Sequence, residues 1–151
     1  MFALNVSALA APMDLLKFSC TYQEQQDGQT FLTEIHFKKP NTLNDRASAT
    51  GNHPVHGVSP NLLEGELLNY SVHGSTKKYI SGFSFFSVTY DAGDASITGM
   101  SGDPDTHTDG AFSLTKVNSG ANQWRFIYTS VTHQQTAATF TCSGGVSAIR
   151  N

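Results

Sequence analysis

The chain has 151 residues, a formal net charge of −3 and only 14% charged residues, and its basic residues do not cluster beyond Lys38-Lys39 and Lys77-Lys78. Binding to nucleic acid or to an anionic membrane surface needs several cations on one face, so composition and charge argue against both classes of partner. The length suits a single domain, with ten Phe, five Tyr and one Trp as the bulky core residues.

Residues 1–11, MFALNVSALAA, are mostly apolar, and residues 8–10 have the small-x-small form that signal peptidases cleave. The basic residues that open a signal peptide are missing before Lys17. We therefore expect residues 1–11 to be a signal-peptide remnant or a disordered tail, and residues 12–151 to form a single β domain. A secreted or periplasmic protein is expected, without a membrane span, because no run approaches the roughly 20 apolar residues of a spanning helix.

Two cysteines lie in alternating stretches, which predict the first and last strands. Cys20 follows Leu16 and Phe18 at every second position, and Cys142 follows Ala138 and Phe140 in the same way. Period-two alternation places both cysteines on the buried faces of their strands. In an exported chain the pair predicts a disulfide between the two ends of the fold, with two free buried thiols as the alternative.

Between the cysteines the chain alternates strand and turn signals. Phe31 to Lys38 predicts a second strand after a hairpin at Asp27-Gly28, and residues 39–61, with three prolines, predict a long loop. A third strand follows, with Leu68, Tyr70 and Val72. The longest extended run covers residues 78–90, where counting by two places Ile80, Phe86, Val88 and Tyr90 on one face and Tyr79, Phe83 and Phe85 on the other.

The segments ASITGM, AFSLTKV, WRFIYTSV and TAATFTC complete a count of eight strands. This pattern predicts an all-β fold, either a small antiparallel eight-stranded barrel or a two-sheet sandwich, tied by one disulfide. Such a barrel is similar in shape to lipocalins and avidins, but the Trp that lipocalins carry on the first strand is absent, since Trp124 lies far downstream. Similarity of shape alone does not determine a function.

The stretch GDPDTHTDG at residues 102–110 is rich in metal-ligating side chains. In a simple meander the turns alternate between two ends, so the connection at residues 101–110 shares an end with those at 74–77 and 132–135. Imidazoles and carboxylates together suit Zn²⁺, and carboxylates with carbonyl oxygens suit Ca²⁺. A polar turn that binds no ion is the alternative. The candidate metal ligands are His73, Asp103, Asp105, His107, Asp109 and His133.

No nucleophile motif or phosphate-binding loop is present, so no catalytic residue and no cofactor are assigned beyond this possible Zn²⁺ or Ca²⁺ site. The aromatic residues Phe83, Phe85, Phe86, Trp124 and Tyr128 are the candidate ligand-binding residues. We expect a secreted or periplasmic barrel that binds a small apolar molecule or another protein. The alternatives are a metal-assisted hydrolase using the His/Asp cluster, and a structural or adhesive surface domain. Enzymatic activity and oligomeric state are left open.

Overall fold

The computed structural model describes residues 14–39, 63–91, 93–103, 107–117 and 122–144. The predicted signal-peptide remnant and most of the predicted long loop lie outside these residues. A short 3₁₀ helix at Leu15–Lys17 is capped by the Asp14 side chain and leads into the first strand. The strands are β1 Phe18–Gln26, β2 Gln29–Lys38, β3 Leu63–His73, β4 Thr76–Asp91, β5 Ser96–Asp103, β6 His107–Lys116, β7 Gln123–Ser130 and β8 Gln135–Gly144.

The eight strands form a closed barrel in which each strand pairs antiparallel with the next one along the chain. The β1–β2 connection shows why neighbours pair, since Asp27 and Gly28 both have positive φ, of 52° and 78°. Two consecutive positive φ values are the signature of the two-residue hairpin turn whose twist matches that of its strands. The predicted eight-stranded barrel is therefore confirmed, and the sandwich alternative is wrong.

Pairing of β8 with β1 closes the barrel, and we call this pairing the seam. It aligns residues 18–21 with residues 144–141, which places Cys20 directly opposite Cys142. The two sulfurs form a disulfide, and the cysteines are only 0% and 2% exposed. The predicted disulfide is confirmed, and the alternative of free thiols is wrong.

The assignment of faces on β4 was wrong, because the strand contains two irregularities. The register shifts between Tyr79 and Ser81 opposite β3 and between Phe86 and Thr89 opposite β5, where Ser87 has a φ of 54°. An extra residue at a bulge reverses the alternation of faces. Val88 therefore joins Phe85 in the core, whereas Tyr79 is 57% exposed and contacts Tyr70.

Two strand boundaries also differ from the predicted ones. β1 begins at Phe18, after the 3₁₀ helix, rather than near Leu16. The predicted connection at residues 101–110 is mostly strand, because β5 continues to Asp103 and β6 begins at His107. Residues 104–106 between them lie outside the described part of the chain.

Aromatic rings fill the barrel in two connected groups. Phe18 contacts Trp124 edge-on, with centroids 5.1 Å apart, and stacks with Phe37 at 6.4 Å. Further along the barrel, Phe112 lies 4.1 Å from Phe85 and 6.0 Å from Phe126. Leu15 of the 3₁₀ helix is buried in the same core. Among the described residues, the half of the barrel nearest the start of β1 is thus filled by packed side chains.

Candidate functional site

A cavity of about 380 Å³ lies in the other half of the barrel. On β1 its lining begins at Tyr22, beyond Cys20, and on β8 it runs from Thr136 to Phe140, so it lies toward the end that carries the β1–β2 and β7–β8 turns. Six of the eight strands contribute to it, and β5 and β6 do not. The lining residues are Tyr22, Glu24, Thr33, Leu67, Asn69, Phe83, Phe126, Tyr128, Thr136, Ala138 and Phe140.

Small inward-facing side chains create this space. Along β8 the inward positions are Cys142 and Phe140 in the core, and then Ala138 and Thr136 in the cavity. On β2 the inward sequence likewise changes from Ile35 to Thr33. Side chains point alternately in and out along a strand, so replacing large by small residues at successive inward positions leaves empty volume inside the barrel.

Five aromatic rings line the cavity. The ring centroid of Phe83 lies 5.5 Å from that of Tyr128 and 5.3 Å from that of Phe85, so the Phe83 ring packs against β7 as well as against its own strand. Phe140 contacts both Tyr22 and Phe126 at 5.4 Å. Because Phe126 and Phe140 are only 4% and 2% exposed, they form the base of the cavity. The rings thus offer flat apolar surface of the kind that binds small organic molecules.

A row of polar side chains crosses the opposite wall from β2 to β4. Thr33 Oγ1 donates a hydrogen bond of 2.8 Å to Asn69 Oδ1, and Asn69 Nδ2 donates one of 3.2 Å to Ser81 Oγ. These two bonds fix the orientation of the Asn69 amide. The amide retains a second N–H for a ligand, because its nitrogen carries two hydrogens.

A second polar contact holds Tyr128 in place. Its hydroxyl lies 2.8 Å from Ser101 Oγ, and Ser101 is 1% exposed. Gly110 makes this possible, because a Cβ at that position would lie 2.5 Å from the hydroxyl oxygen. Tyr128 is therefore a fixed wall of the cavity, with its ring toward Phe83 and its hydroxyl bonded to the β5 side.

Glu24 is the one charged residue among the cavity lining, and it is exposed at the mouth. The other ionised cluster of this region lies on the outer wall. There Glu34 accepts a hydrogen bond of 2.8 Å from Lys77 and contacts His36 at 3.1 Å. Partial burial opposes ionisation of Glu34, but the hydrogen bonds with Lys77 and His36 outweigh the effect of burial and lower the pKa of the carboxyl. The hydrogen bond between Glu34 and Lys77 also raises the pKa of Lys77.

The predicted ligand-binding residues fall in different places. Phe83 and Tyr128 line the cavity. Phe85 is 1% exposed and supports Phe83, and Trp124 lies in the packed half against Phe18. Phe86 is buried opposite Met100 of β5 and does not line the cavity. The assignment of these residues to ligand binding stays a prediction for all of them.

Several lining residues were not expected from the sequence. Tyr22 and Phe140 carried the alternation pattern of core residues, Thr33 shared the apolar face of its strand with Ile35, and Asn69 carried no signal for a ligand site. One signal was available in β1, where Glu24 continues the inward alternation of Cys20. A carboxylate at an inward position indicates that the barrel is open to water at that level, because burying an unpaired charge is costly.

The predicted metal ligands stay a prediction. His73 ends β3, His133 lies in the β7–β8 turn, and Asp103 pairs with His107 across β5 and β6, so the meander brings these backbone positions to one end of the barrel. Asp105 lies outside the described residues. In the part of the chain that the structure describes, no three His, Cys, Asp or Glu side chains form a group that could hold a metal ion.

Comparison of the chain with protein-family models, with curated proteins and with solved structures finds no match to any of the three. Among the described residues there is also no helix long and apolar enough to cross a membrane.

Proposed function

We propose that the protein is an exported β-barrel that binds a small, largely apolar molecule in the cavity. The observation that carries this proposal is a cavity of about 380 Å³ in which five aromatic rings and Leu67 face a few fixed polar groups. Ligand sites in proteins combine apolar walls with a small number of positioned polar groups, and occupy about 300–1,000 Å³. In this cavity the fixed polar groups belong to Asn69 and Thr33.

The volume sets the size of the ligand. An apolar cavity of about 150 Å³ binds benzene, so a cavity of about 380 Å³ has room for a molecule two to three times as large. A fused two-ring compound with a short polar substituent meets this limit. Long-chain lipids do not, unless most of the chain lies outside the barrel.

The disulfide supports export, because such bonds persist in oxidising compartments such as the periplasm and the extracellular space. The bond also holds β1 and β8 together next to two lining residues, Tyr22 and Phe140. A rigid wall lowers the entropy cost of binding, because the site does not have to order itself around the ligand.

Filling the cavity with protein atoms tests the proposal. Ala138→Phe places a ring where Ala138 lines the cavity, whereas Ala137→Phe places the same ring at the neighbouring position, which is exposed opposite Ile127. Binding of 2-naphthalenemethanol, measured by naphthalene fluorescence anisotropy, should weaken at least about tenfold in Ala138→Phe, which is about 1.4 kcal/mol. Affinity should be unchanged in Ala137→Phe.

Thermal melting of both variants shows whether each is folded before its affinity is interpreted. Equal affinities in the two variants would place the probe outside the cavity and contradict the proposal. The same would follow if the wild-type protein bound no probe and native mass spectrometry of the protein, purified without organic additives, showed no retained organic mass.

A further inference from the structure

Glu24 sets the charge of the cavity. It follows Phe18, Cys20 and Tyr22 at the inward positions of β1, and its neighbour across the strand pair is Phe31. Among the described residues its carboxylate has no hydrogen-bond or ion-pair partner, in contrast to Glu34, which is bound by Lys77. The negative charge of Glu24 is therefore available to a ligand at the mouth.

Aromatic rings that turn their faces toward a ligand act in the same direction as this charge. The face of an aromatic ring carries negative potential, so rings within about 6 Å of a cation attract it. Five rings line the cavity, and two of them, Tyr22 and Tyr128, belong to residues toward the mouth end of β1 and β7. An anionic ligand would be repelled by the carboxylate of Glu24, whereas a cation would be attracted by the carboxylate and by each ring face turned toward it.

The lysines of this end are not among the residues that line the cavity. Lys77 is held on the outer wall by Glu34 and by the ring of Tyr70, whose centroid is 4.4 Å from its Nζ. Lys78 is aligned with the buried Ser71 on the inward side of β4 near the β3–β4 turn, but it is exposed and is not among the lining residues. Among the described lining residues, the carboxylate of Glu24 is thus the fixed charge that a ligand meets.

We propose that the cavity selects organic cations, namely small aromatic or alicyclic amines. This inference rests on the proposed binding function. The apolar part of the amine packs on Phe126 and Phe140 at the base, and its ammonium group lies at the mouth beside the Glu24 carboxylate and the ring of Tyr22. The second N–H of Asn69 accommodates a hydroxyl or carbonyl oxygen on the same ligand.

Three probes of matched size test the proposal: 2-naphthalenemethylamine, 2-naphthalenemethanol and 2-naphthoate, which at pH 7.5 are cationic, neutral and anionic. The cation should bind about fivefold more tightly than the neutral probe, as expected for an exposed ion pair with a cation–π contribution, and the anion should bind more weakly still. The preference for the cation should decrease as salt is raised from 20 to 500 mM, because salt screens exposed charges.

Two variants assign the preference to Glu24. Glu24→Gln should reduce the preference for the cation to the part that the aromatic rings contribute, and Glu24→Lys should favour the anion. The matched control is Glu66→Gln, which removes a carboxylate from the outer wall, where Glu66 lies 4.0 Å from Lys38. This control should retain the preference of the wild-type protein.

The outcomes separate this inference from the proposed function. Equal binding of all three probes, lost in Ala138→Phe, would overturn the selection of cations and leave the binding function intact. A cation preference that is undiminished in Glu24→Gln would overturn the assignment to Glu24. If none of the probes bound, the selection of cations would fall, and the binding function would fall with it if native mass spectrometry also showed no retained organic mass.

Discussion

Removing the disulfide is the sharpest test of how the barrel is held closed. The seam is the shortest of the described strand pairings, and no turn joins its two strands. It aligns four residues of β1 with four of β8, whereas β2 and β3 align over residues 30–38. Cys20 and Cys142 lie opposite each other within these four pairs. The variant Cys20→Ala/Cys142→Ala removes the covalent link and leaves the backbone hydrogen bonds of the seam in place.

The sequence separation of the two cysteines sets the magnitude. For a separation of 122 residues, the chain-entropy model gives about 4.9 kcal/mol at 25 °C. Measured effects of native disulfides are commonly about 2–5 kcal/mol, so we expect the variant to lose about 3–5 kcal/mol of its free energy of unfolding. For a domain of this size a loss of about 4 kcal/mol lowers the melting temperature by roughly 8–16 °C.

Urea unfolding followed by Trp124 fluorescence measures the loss, with the slope of free energy against urea checked for two-state behaviour. The control is Ser19→Ala/Ser143→Ala, which changes the neighbouring pair of the same seam without changing chain connectivity. A loss below about 1 kcal/mol in the cysteine variant, or an equal loss in the serine variant, would refute the reasoning that loop closure stabilises the barrel.

Three further changes have defined outcomes. Gly99→Ala should lower the free energy of unfolding by about 1–3 kcal/mol, because its Cβ would lie 2.6 Å from a ring carbon of the core. Tyr128→Phe should cost about 1–2 kcal/mol in urea unfolding, since it leaves the buried Ser101 hydroxyl without its partner. Lys77→Met should remove a pH-dependent part of the free energy of unfolding, because the pKa of Glu34 is lowered in the folded protein. The stabilisation by Glu34 is present above its unfolded pKa and is lost as the pH falls through its folded pKa. Unfolding of Lys77→Met and wild type should therefore differ more at pH 7 than at pH 2.5.

Each of these predictions has its own control. Phe112→Leu should recover part of the loss in Gly99→Ala, because it removes the ring atom that the new Cβ meets, and additive losses would contradict the contact. Ser101→Ala combined with Tyr128→Phe should cost less than the sum of the two single changes. Lys78→Met, at an exposed position beside Lys77, should leave the pH dependence unchanged; an equal effect there would assign it to net charge rather than to Glu34.

The barrel was predictable because most of its strands alternate strictly. Cys20 and Cys142 each continue an alternating pattern, which placed both inward, and their positions on the first and last strands of a chain expected to be exported suggested the disulfide. β4 was not predictable in the same way, since counting by two does not detect an extra residue. Its faces depend on the bulge at Ser87, and nothing in the local sequence SFFSVTY marks which residue is the extra one.

Only part of the cavity could be predicted. Phe83 was a candidate ligand-binding residue because it lies in a strand with aromatic residues on both faces. Tyr128 was one because it lies on a strand whose inward face is aromatic. Tyr22 and Phe140 belong to the same two strands as the cysteines, and their pattern is that of core residues. Whether an inward residue meets core or cavity depends on the sizes of its neighbours on other strands, here Thr33 and Ala138, and that information is not local in the sequence.

The seam also bears on the order of folding. All the remaining pairings of the described strands join strands that are consecutive in the chain, and consecutive strands can form hairpins within microseconds. The pairing of β1 with β8 joins residues more than a hundred positions apart, and non-local contacts of this kind slow folding. We therefore expect a chain that folds first into a curved open sheet and closes last. The cavity, which needs residues from both sides of the seam, would appear only at this final step.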